Sequence, residues 1–175
     1  MRSATIGSAT SKASRGFALV AAAAVGTAAA VSLLLPVPVV VVTATASGRP
    51  LWHAPTRPGA VVDLEYTNSI YRAPVTERFV ITGALLRLAE VTTTSEAVLH
   101  YLAIEPPYAR RGDRLVAKRP GPMFAELTIR IGQTGRQRLV VDGRTIPIYE
   151  VGVGEAVRVT VTRVPRLRAL ARGAR

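Results

Sequence analysis

At 175 residues with no cysteine, the chain has room for one domain with extensions, and disulfides, zinc–thiolate sites and thiol catalysis are excluded. Its formal net charge is +12, and 21 of its 23 basic residues are arginine. Such a balance points to an anionic surface nearby; with aromatics at 5% and no nucleic-acid motif, the expected surface is a membrane rather than nucleic acid.

The chain opens with residues 1–16, which carry Arg2, Lys12 and Arg15, followed by an uncharged apolar run, residues 17–42 (FALVAAAAVGTAAAVSLLLPVPVVVV). A helix over its first part, Phe17 to Leu35, covers roughly 28 Å at about 1.5 Å per residue, about one hydrocarbon core. Pro36 and Pro38 are expected to end that helix, since proline cannot donate to the helical ladder. The run exceeds the usual h-region of about 7–15 residues, which favours a retained signal anchor. Ala44-Thr45-Ala46 supplies the alternative, cleavage after Ala46 and secretion. Either way the basic N-terminus stays in the cytoplasm and the remainder is extracytoplasmic. Residues 43–59 include SGRPLWHAPTRPG, with three prolines and two glycines, and read as an extended linker. Trp52 is either an interfacial anchor or packed against the domain that follows.

Residues 60–163 read as an all-β domain. Val62, Leu64 and Tyr66 alternate with polar residues, as do Leu127, Ile129 and Ile131, and then Val157, Val159 and Val161. That period of two belongs to strands covered on one face. Asp142-Gly143 between LVV and RTIPI predicts a hairpin with a type I′ turn. Gly83, Pro120-Gly121 and Gly132 to Gly135 mark further turns. About seven strands over this length suggest a β-sandwich or an open barrel, preceded by one N-terminal transmembrane helix. Ser95 to Ala103 (SEAVLHYLA) is open between helix and strand.

The stretch Glu65 to Phe79, EYTNSIYRAPVTERF, holds the most informative residue. Val75, Phe79 and Ile81 share one face of the strand, and Glu77 falls on that same apolar side. A core-facing carboxylate needs a partner. If the strands around Ser69 to Pro74 pair, Tyr66 lies near Glu77, so the candidate binding residues are Tyr66, Asn68, Ser69 and Glu77, with an arginine within reach as a further possibility. The alternative is a structural network that pins strand register.

Tyr66-Thr67-Asn68-Ser69-Ile70, then Pro74-Val75 and Glu77-Arg78-Phe79, resembles the signature of a bacterial exported family of unknown function. In that family a Tyr-x-His-Ser element is followed by Pro-Val-x-Glu-x-Phe. LTIRIGQTGRQRLVVDGRTIPI and VRVTV are similar to its closing strands, so the resemblance spans about Leu51 to Val164. It implies a small anchored β domain, often encoded beside the fused permease of TRAP transporters, with a transporter permease subunit as partner. Asn68 stands where the family has histidine, which removes a titratable group and a potential metal ligand. Thr92 to Val98 replaces a glycine-rich stretch.

No catalytic constellation emerges. There is no Gly-x-Ser-x-Gly elbow, no HExxH pattern and no phosphate-cradling loop, and the two histidines, His53 and His100, lie far apart. No metal and no cofactor is expected. The tail, residues 164–175, is basic, and Arg163, Arg166, Arg168, Arg172 and Arg175 are candidates for an anionic lipid surface. It reads as a short helix or as a solvated end. The expected role is a membrane-anchored accessory or binding module; the alternative is an envelope structural or anionic-lipid-binding protein.

Overall fold

A computed structural model of the chain describes residues 32–118 and 121–173. Residues 1–16, residues 17–31 of the expected span, Arg175 and the Arg172 side chain lie outside what is described. No helix among the described residues is long and apolar enough to cross a membrane.

The chain forms β1 (Pro36–Ala44), β2 (Pro50–Pro55), β3 (Val61–Thr67), β4 (Pro74–Thr82) and β5 (Leu85–Thr93). A short helix α1 (Glu96–Tyr101) leads to β6 (Ala109–Arg111), β7 (Arg114–Lys118), β8 (Met123–Phe124) and β9 (Glu126–Arg130). Then come β10 (Arg138–Val141), β11 (Arg144–Ile146), β12 (Ala156–Pro165) and the C-terminal helix α2 (Arg166–Gly173). The protein is all-β with antiparallel sheets. One sheet runs β2-β1-β12-β9; the other runs β11-β10-β3-β4-β5-β7-β6, with β8 added on β5. Val40 and Val42 of β1 and Val157, Val159 and Val161 of β12 share one core with Val62, Leu64, Phe79, Ile81, Leu139 and Val141 of the other sheet. The two sheets thus face each other in a sandwich-like arrangement.

The valine run corrects the expected boundaries. Residues 36–42 are not part of a membrane helix but the first strand of the domain, and β2 occupies the expected linker. The reason is local chemistry: β-branched valines suit a pleated strand, and a strand central to its sheet can be apolar throughout. Val40 and Val42 are fully buried in the core, while Val39 is buried on the strand's other side, where α2 packs across β1, β2 and β12. Each such valine contributes about 1.5–3 kcal/mol by leaving water. Both prolines are accommodated. Pro36 is the first strand residue, and Pro38 turns its carbonyl to Thr56 on the β2 side. Its missing N–H faces the same way, just beyond the last β1–β2 pair, Val39 with Pro55.

Other expectations resolve simply. Asp142 (φ 47°) and Gly143 (φ 78°) form the β10–β11 turn, both in the left-handed conformation that a type I′ turn requires. Ser95 to Ala103 contains helix α1, whose Val98 and Leu99 enter a second apolar cluster with Val75, Val91, Ile104, Leu115 and Ala117. Trp52 lies in β2 and packs against the main core. Gly121 is fixed by close approach: a Cβ there would sit 2.8 Å from the Leu88 carbonyl oxygen.

The first and last long strands pair along their whole length, from Pro36 with Pro165 to Ala44 with Val157. We therefore expect a chain truncated to begin at residue 36 to keep a cooperative thermal transition. One beginning at residue 60, which lacks β1 and β2, is expected to lose it, as circular dichroism melts would report.

Candidate functional site

Neighbouring residues of β4 show two ways of placing charge on a sheet. Arg78 faces outward, opposite Asp63 of β3 and Glu90 of β5, with Lys118 of β7 next in the row. Its guanidinium grips Asp63 with two hydrogen bonds of 2.9 Å and lies 3.7 Å from Glu90, which is 3.8 Å from the Lys118 ammonium. Hydrogen bonding to Asp63 raises the Arg78 pKa further. Half-exposed ion pairs of this sort add little stability but do favour one register.

Glu77 faces inward, between Leu64 of the main core and Val91 of the second cluster, at the seam between the two. Its one hydrogen-bond partner is Tyr66, whose Oη donates to Oε1 at 2.7 Å. Among the described residues no arginine is paired with it. Burial raises the Glu77 pKa, and the Tyr66 hydrogen bond only partly offsets this. Tyr66 is pushed far up, by burial first and by the neighbouring carboxylate second, so it remains a donor.

Two clefts meet at this carboxyl group. One, of about 420 Å³, opens between the sheets beside β9 and is lined by Tyr66, Glu77, Phe79, Leu127, Ile129 and Gln137, among others. The second, of about 470 Å³, lies toward α1 and is lined by residues such as Glu77, Glu90, Val91, Ile104 and Gly121. Leu88 and Phe124 border both. Gln137 was not singled out by sequence; it is 9% exposed, donates through Nε2 to the Arg130 carbonyl at 3.3 Å, and leaves Oε1 buried without a partner. A buried acceptor without a partner is costly, and Gln137 belongs to the same cleft lining as Glu77.

The remaining sequence candidates take other places. Asn68 is buried and serves its own turn: Oδ1 accepts from the Ile70 and Tyr71 amides, each at 3.0 Å. This is the asparagine geometry that closes a β3–β4 connection. Ser69 is exposed in that turn. Only Tyr66 and Glu77 of the expected cluster come together. Arg163, Arg166 and Arg168 are exposed at the β1–β12 end. Arg166 donates its backbone N–H to the Leu35 carbonyl and Nη1 to Ser32 Oγ, both at 3.1 Å. Far from being a solvated end, α2 is docked, with Ala169 only 2% exposed. Among the described residues no group of three or more acidic or histidine side chains is placed to hold a metal.

No family model, no curated protein and no solved structure matches the chain.

The raised Glu77 pKa gives a signed prediction. Its contribution to stability is fully present below its ordinary value of 4.5 and is lost as pH rises through the raised folded value. Glu77→Gln keeps an acceptor for Tyr66 and stays neutral. Its melting temperature is expected to exceed wild type near neutral pH, with the gap closing below the ordinary carboxyl range. A constant gap at every pH would contradict the assignment.

Proposed function

We propose that the protein is a membrane-anchored, extracytoplasmic binding module whose ligand contacts lie in the clefts around Glu77. The observation that carries this reading is a carboxyl group on the apolar face of a sheet, with one tyrosine partner and open space on both sides. A site that is mostly apolar with a few convergent polar groups is the usual form of a small-molecule pocket. The fitting ligand has an aliphatic or aromatic body and a hydroxyl or amine that donates to Glu77 and Gln137. The sequence resemblance supports service to a TRAP-type permease. Leu34 and Leu35, 66% and 53% exposed just before β1, support the anchor.

A second reading, contact with an anionic lipid surface, is favoured by the seat of α2. Arg166 is tied to Leu35 and Ser32, and Leu167 is 55% exposed next to Arg166 and Arg168. If residues 17–35 span the bilayer, these arginines lie at headgroup level, where each contributes about 1 kcal/mol.

Two measurements test the first reading. Because the chain has no cysteine, Val153→Cys, in a turn where that residue is 61% exposed, gives a single reporter. It is expected to react with a membrane-impermeant maleimide in right-side-out vesicles; labelling only after lysis would contradict the topology. In the second, the full chain in mild detergent is screened against apolar amines and alcohols. A true hit is expected to lose about tenfold or more in affinity with Glu77→Ala or the cleft-filling Phe124→Trp, and to be unchanged by Arg168→Gln. Hits indifferent to both cleft variants would overturn the site.

A further inference from the structure

A third concavity lies on the opposite, outward face of the same strand pair. It has a volume of about 300 Å³, and its charged lining is Glu65, Arg114, Arg136 and Arg138. Arg138 sits across from Glu65 in the β10–β3 register and is ion-paired to it. Arg114 and Arg136 differ: neither guanidinium has a hydrogen-bonding or ion-pair partner among the described residues. Thr67 and Thr76 add two hydroxyls to the lining, and neither is committed to another described residue.

Arg136 is held there by an unusual backbone. Its φ is 42°, in the left-handed region that favours glycine, and the adjoining Gly135 carbonyl accepts the Thr67 amide at 2.8 Å. The 132–137 loop is thereby stapled to the end of β3 with an arginine where glycine is the easier residue. Non-glycine residues in such backbone concentrate at ligand contacts and switch regions.

We infer that this concavity binds a small oxyanion, a carboxylate or a phosphate, through Arg114 and Arg136, with Thr67 and Thr76 as hydroxyl donors. Three arginines face one glutamate, and that glutamate is already satisfied by Arg138, so the site has positive charge to spare. Planar guanidinium groups suit the paired oxygens of either anion. The volume limits the ligand to a small group. A long polyanion would also have to pass the Asp63 and Glu90 carboxylates on the same face. Given the anchor proposed above, which sets the Pro36 end at the membrane, lipid headgroups are the wrong source. Thr56 Oγ1 bonds Asp142 and Arg166 bonds Leu35, which places the β10–β11 turn and α2 together at the Pro36 end. Thr67 and Gly135 sit at the other end of β3, so the ligand is a free solute.

The test is calorimetric titration of the full chain in mild detergent with inorganic phosphate, sulfate and succinate over a chloride background. Saturable binding of at least one is expected. Arg114→Gln and Arg136→Gly should each weaken it about tenfold, the scale of one charge-assisted hydrogen bond. Arg136→Gly also relaxes the backbone, so its loss of binding should come without loss of thermal stability. Arg87→Gln, at the far end of the sheet and outside the concavity, removes the same charge and should leave binding unchanged. No saturable binding of any of the three anions would overturn the site, as would equal losses in all three variants, which mark a net-charge effect only.

Discussion

The pairing of β1 with β12 is the constraint on which the other features depend. It joins the start and end of the folded domain over nine residues of each strand and forms the middle of one sheet. Because Val40 and Val42 point from that sheet into the shared core, the second sheet cannot be covered without it. The same pairing brings the residues just before β1 and the start of the basic C-terminal helix together, through the contact of Arg166 with Leu35. The domain therefore has two distinct ends: one with exposed leucines and arginines, the other with the Asn68 turn and the loop that carries Arg136.

On the large sheet, side-chain alternation sorts the chemistry. Outward positions of β3, β4, β5 and β7 hold the row Asp63, Arg78, Glu90 and Lys118, in which every charge has an opposite neighbour. One residue away, Glu77 turns to the apolar side with a single phenol for company. Leaving Glu77 with Tyr66 keeps its pKa raised and its second oxygen available. Structural networks satisfy their members; this pair, and the nearby Gln137 carbonyl oxygen, leave acceptors over.

Much of this was legible in the residues. The alternation around Val62, Leu127 and Val157, the Asp142-Gly143 turn, and the nearness of Tyr66 to Glu77 follow from period two and turn chemistry. Misreading of the valine run was physical in origin. A largely buried central strand and the end of a membrane helix are both uninterrupted apolar sequence, and only the partner strands, more than a hundred residues later in the case of β12, distinguish them. Asn68 looked like a site member because its face matched; a two-residue reach to the Ile70 amide gave it a different task. Gln137 and Arg114, which has no partner among the described residues, carry no local signal at all, since their meaning comes from which loop folds over which strand.

Amide hydrogen exchange on the full chain tests the β1–β12 pairing most directly. The amides of Val40 to Val42 are expected to exchange as slowly as those of Val157 to Val161, and both sets should lose protection together as denaturant rises. Rapid exchange in β1 while β3 to β5 stay protected would contradict the account. So would protection of β1 that outlasts the unfolding of β12.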